Sequence, residues 1–103
     1  MDTIYLDHNC YQRGFDDHSQ LRIKLEALAC QALFDKANDN EIILVWFFMN
    51  EDETQMCPFP ERNYEIQRLS ELCKIRVGPE SEIIEQAKNI KINVIYLPKM
   101  HFI

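Results

Sequence analysis

Ile42-Ile43-Leu44-Val45-Trp46-Phe47-Phe48-Met49 is an apolar run with no polar break, and Glu51-Asp52-Glu53 follow it closely. A strand exposed on one side alternates apolar with polar residues, because successive side chains point to opposite faces. An unbroken run therefore predicts a central strand of a parallel sheet, covered on both faces, over residues 42–49. Upstream, residues 3–6 form a shorter β-leaning run that stops at Asp7-His8-Asn9. Between the two strands a long helix is expected, with Ser19 as its N-cap and Asn38-Asp39-Asn40 as its end. Leu21, Leu25, Leu28, Ala32 and Leu33 recur there at helical spacing. Ile23, Ala27, Cys30 and Phe34 widen the apolar face, so the helix is expected to be covered on more than one side. Downstream, Pro60 suits the first turn of a helix reaching about residue 72. Residues 74–77 read as a third strand, and Gly78-Pro79 as the turn into a helix over about residues 80–88. Strands alternating with helices predict an α/β domain with a central parallel sheet.

The chain has 103 residues, the size of one domain, and 17 acidic against 11 basic residues, a formal net charge of −6. That balance argues against a free-standing nucleic-acid module, which carries a basic footprint. It argues less against a metal-dependent nuclease, whose site is itself a cluster of carboxylates. Cys10, Cys30, Cys57 and Cys73 lie far apart with no C-x-x-C pair, so free thiols are expected rather than a zinc site or a disulfide scaffold. The opening residues Met1-Asp2-Thr3 begin neither an export signal nor a membrane span, and the chain is expected to be cytoplasmic.

Ligands of open parallel sheets bind beyond the carboxyl ends of the strands. That rule brings Asp7 and the acids at 51–53 to one edge, where two carboxylates could share a divalent cation with several waters. The residues alone leave a plainer alternative open. Asp7 is equally suited to a turn or a cap, and Glu51-Asp52-Glu53 to a solvated first helical turn. His8 reads as a turn residue, His18 as a loop position, and Trp46 and Phe48 as core.

Ile4-Tyr5-Leu6-Asp7-His8-Asn9 resembles the opening strand of PIN domains, an apolar run followed by Asp-x-Asn. The strand through residues 44–49 leading to Glu53 is similar to that family's second acidic motif, and the resemblance extends over residues 3–87. It implies a three-layer α/β/α fold and a ribonuclease dependent on magnesium or manganese, of the kind found as toxins in bacterial toxin–antitoxin pairs. Asp7 and Glu53 would be the metal carboxylates, with Glu51 the fallback, and Asn9 would hold the adjoining turn or a water. RNA and an antitoxin protein would be the partners. An Asp-x-Asp phosphatase is the least favoured alternative, since Asn9 stands in its second slot.

Two departures matter. Phe47 stands where the family often has Ser or Thr, which implies an altered pocket. The third acidic motif, Asp-Ala-Leu-His-Leu-Ala, is missing, and residues 92–103 are apolar and β-leaning instead. Back-translated and read one frame away, residues 97–103 plus a stop can give Ser-Lys-Asp-Ala-Leu-His-Leu followed by the first base of an Ala codon. The internal Ala is forced by Met100-His101. Residues 1–90 are therefore expected to be a PIN-like domain incomplete at its C-terminus, and residues 91–103 an out-of-frame tail. Such a chain should bind a metal weakly, cleave RNA poorly, and self-associate or bind a partner. Sequencing the gene beyond residue 87 tests the frame, and a shifted frame without that motif and further coding sequence ends the idea.

Overall fold

The structure, a computed structural model, describes residues 1–80 and 92–97. Strands β1 (Asp2–Leu6), β2 (Ile42–Phe47), β3 (Cys73–Val77) and β4 (Asn93–Ile95) form one sheet in the order β3-β2-β1-β4. Every neighbouring pair is parallel, as the apolar runs predict. Helices α1 (His8–Gln12), α2 (Leu21–Asn38), α3 (Phe48–Met56) and α4 (Pro60–Ser70) connect the strands, with a 3-10 turn over Arg13–Phe15 after α1. Leu44, Val45 and Trp46 are all buried although their side chains alternate between faces, so β2 is covered on both sides.

Several boundaries fall differently from the expectation, each for a local reason. β2 stops at Phe47, two residues early, because the Phe47 N–H donates to Asn50 Oδ1 (2.9 Å) and turns the chain into α3. Ser19 does not cap α2: its N–H donates to Asp17 Oδ1 (2.9 Å), and Gln20 holds the cap position through its backbone. α2 ends where its Asn-Asp-Asn sequence predicts, with Asn40 at φ 61°, a left-handed conformation that asparagine tolerates. All four cysteines are free.

The main correction concerns α2. Its sheet-facing side is Ile23, Ala27, Cys30, Phe34 and Ala37, all buried. Leu21, Leu25 and Leu28 are exposed, so the helix is covered along one stripe and not along both. Both stripes repeat at helical spacing, and only the position of the sheet selects between them.

The β-leaning segment near the end of the chain forms β4, which pairs with β1 through Ile4↔Asn93, Tyr5↔Val94 and Leu6↔Ile95. Residues 81–88 of the helix expected over 80–88, and the stretch 98–103 including His101, lie outside the described residues. Among the described residues, no helix is long and apolar enough to cross a membrane.

Candidate functional site

β1 ends in the buried Leu6, and the half-buried Asp7 follows it at the carboxyl edge of the sheet. Three contacts fix this corner to the last described segment. The Asp7 N–H donates to Ile95 O (3.0 Å), the Cys10 thiol to Ile95 O (3.7 Å), and Asn9 Nδ2 to Leu97 O (3.0 Å). The Asn9 amide nitrogen therefore holds the chain beside Asp7.

The second acidic motif is sorted by hydrogen bonds. Glu51 accepts from Trp46 Nε1 (3.2 Å), Gln55 Nε2 (3.4 Å) and Gln67 Nε2 (2.9 Å), which commits its carboxylate to joining β2, α3 and α4. Glu53, two residues further on and exposed, lines a cleft of about 430 Å³ together with His8, Asn9 and Gln12. Tyr5 senses both Glu53 and Asp7. Burial pushes its phenol up to about 12, the negative charges of Asp7 and Glu53 push in the same direction, and a hydrogen bond with the Asn50 side chain partly offsets them. Phe47, where a small hydroxyl residue is common in the family resembled, stands edge-on against the Tyr5 ring with centroids 4.9 Å apart.

Asn50 has no counterpart among the residues picked from the sequence. It is fully buried, accepts from the Phe47 N–H and donates to Leu6 O (3.3 Å). One amide thus ties the end of β1 to the end of β2 and fixes where α3 begins. An Asn at the third position of a helix, able to reach back to the residue before it, is the sequence signal that points to it.

Arg13, Asp16 and Arg62 also line the cleft. Arg13 is buried and pairs with Asp16 (3.0 Å) and Glu26 (2.9 Å). Arg62 donates to Asp16 Oδ1 (3.4 Å), Gln12 Oε1 (3.2 Å) and Phe15 O (2.9 Å), and its guanidinium lies 4.9 Å from the Phe59 ring centroid.

With its oxygen turned to Arg62, Gln12 presents its NH2 group to His8 Nε2 at 3.0 Å. His8 Nε2 must accept, so the ring is neutral with its proton on Nδ1, which is buried and has no hydrogen-bond partner among the described residues. His8 is thus a buried residue of α1 and not the turn residue expected, whereas His18 is exposed in a turn as predicted. Burial lowers the His8 pKa below its ordinary 6.5, opposed by the Asp7 charge. The unfolded chain takes up this proton first, so His8 contributes stability above about 6.5 that is lost as pH falls through the window below it. Urea midpoints measured across that window should fall more steeply for the natural chain than for His8→Gln, and parallel curves would refute the assignment.

Two hard oxygen donors, Asp7 and Glu53, therefore belong to the carboxyl edge, a donor set that suits Mg²⁺ or Mn²⁺ completed by water. Among the described residues, no three of His, Cys, Asp and Glu come together as a metal-ligand group. Comparisons of the chain with protein-family models, curated proteins and solved structures gave no match.

Proposed function

We propose that the chain is a PIN-type, metal-dependent ribonuclease scaffold with greatly weakened cleavage. What supports this best is the topology: β1 and β2 are parallel neighbours, Asp7 follows the end of β1, and Glu53 lies on the helix that follows β2. A divalent ion there would supply an activated water and neutralise charge on a phosphodiester. Asp7 and Glu53 would offer it oxygen ligands, Asn9 keeps the adjoining backbone in place through Leu97 O, and Tyr5 remains protonated and neutral beside them. With two carboxylates rather than a fuller set among the described residues, ion affinity and stabilisation of the transition state both fall.

The purified chain is expected to bind Mn²⁺ weakly by electron paramagnetic resonance and to lose at least about tenfold in affinity on Asp7→Asn. Single-stranded RNA should be cleaved little or not at all in Mg²⁺ or Mn²⁺. Mn²⁺ binding indifferent to Asp7→Asn sinks the metal-site reading. Robust cleavage abolished by Asp7→Ala sinks only the weakened activity.

A second reading is a non-catalytic protein that captures a partner such as an antitoxin. It is favoured by the edge strand β4, where Val94 and the following Tyr96 are exposed. A small protein encoded beside the gene should then co-purify with the natural chain and be lost on Val94→Lys.

A further inference from the structure

Cys10 on α1 and Cys30 on α2 are 1% and 5% exposed, and both belong to the same buried cluster. The two helices pack on each other, and the two thiols lie side by side, joined by a hydrogen bond. The remaining thiols are engaged elsewhere, Cys73 with the Tyr11 hydroxyl (3.3 Å) and Cys57 with Gln12 Nε2 (3.5 Å). The geometry points to a modification site, at which Cys10 and Cys30 close to an intramolecular disulfide when the chain meets a peroxide. This site does not depend on the metal-site reading.

A buried free thiol ordinarily serves as a small apolar side chain. What sets this pair apart is its asymmetry. The hydrogen bond with Cys30 holds the Cys10 thiol protonated, and burial adds to it. Cys30 moves the other way. The hydrogen bond with Cys10 favours its thiolate, burial opposes that, and the Arg13 guanidinium favours it again against the Glu26 charge. Cys30 is therefore the sulfur that ionises and attacks, and Cys10 the one that resolves.

The chemistry balances with hydrogen peroxide as the only co-reactant. The Cys30 sulfur loses its proton and attacks one peroxide oxygen; the O–O bond breaks, and the departing hydroxide takes up that proton as water. The Cys10 sulfur then attacks the Cys30 sulfenic acid. Its S–O bond breaks, and the oxygen leaves with the Cys10 proton as a second water. The thiols give up two electrons and the peroxide accepts them. To bond, the sulfurs must close to about 2.05 Å. Helix α1 has five residues and no side-chain cap, so local opening there admits the oxidant. Once linked, Cys10 has no proton for Ile95 O, 3.7 Å away, and one contact that holds β4 beside Asp7 is lost.

The full natural chain, treated with hydrogen peroxide and alkylated, can have its disulfides mapped by mass spectrometry without reduction. A Cys10–Cys30 link within one chain, reversed by dithiothreitol, is expected to exceed every other pair by at least about tenfold. In urea that preference should vanish, because an unfolded chain pairs by loop length and Cys57–Cys73 closes the shortest loop. In Cys10→Ala, Cys30 should accumulate as a sulfenic acid captured by dimedone, whereas Cys30→Ala should leave Cys10 unmodified at the same dose. A dominant link through Cys57 or Cys73, a Cys10–Cys30 share as large in urea as in buffer, or Cys10 and Cys30 staying reduced while Cys57 oxidises overturns the inference. So does dimedone capture at Cys10 rather than Cys30.

Discussion

Arg13→Met is expected to destabilise the fold by about 3–5 kcal/mol, the range found when one partner of a buried ion pair is removed. Arg13 is 1% exposed and faces two carboxylates, Asp16 at 3.0 Å and Glu26 at 2.9 Å. Burying a guanidinium is costly, and the pair repays that cost only while both partners are present. Asp16 keeps Arg62 and Glu26 keeps Arg22 after the change, but Arg22 is largely solvated and Arg62 already serves Gln12 and Phe15. A loss of that size is a large part of the roughly 5–15 kcal/mol holding a domain together, and should lower the melting midpoint by more than about 10 °C. Restoring charge balance should restore stability. Arg13→Met combined with Glu26→Gln is expected to melt above Arg13→Met alone. If the double variant is less stable than the single, the penalty arises from lost packing of the Arg13 stem and not from stranded charge.

The parallel sheet could be read ahead of the structure because burial on both faces removes polar alternation from a strand, and residues 42–47 show this directly. The placement of Asp7 at the carboxyl edge follows from the same reasoning. Four features could not be read because tertiary packing decides them. Glu51 and Glu53 are near neighbours in sequence, and what separates them is Gln67 on α4 reaching Glu51 together with the Trp46 indole. The two stripes of α2 are both apolar and both helical in period, so the inward one is known only once the sheet is in place. His8 looks like a turn residue between Asp7 and Asn9 until α1 forms and buries its ring against Gln12. β4 is a three-residue strand whose partner is set by the Asp7 N–H and the open edge of β1.

Asn50 carries the second large expected effect, and its substitutions separate hydrogen bonding from packing. Asn50→Ala strands two backbone groups, the part-buried Phe47 N–H and the buried Leu6 carbonyl, each costing up to about 1–3 kcal/mol when left unmet. A total loss of about 2–4 kcal/mol is expected from urea midpoints. Asn50→Asp keeps an acceptor for the Phe47 N–H but turns a carboxylate oxygen toward Leu6 O, so it should be at least as damaging as Ala although nearly isosteric. If packing were what mattered, Asp would be the milder change. Amide exchange gives a local readout: the Phe47 N–H should lose protection in Asn50→Ala and retain more of it in Asn50→Asp. Glu53 lies three residues beyond Asn50 on α3, so this amide also sets where that carboxylate stands relative to Asp7. Under conditions where Asn50→Ala remains folded, its Mn²⁺ affinity should therefore fall toward that of Asp7→Asn. Unchanged Mn²⁺ binding in that variant would show that Glu53 does not share an ion with Asp7.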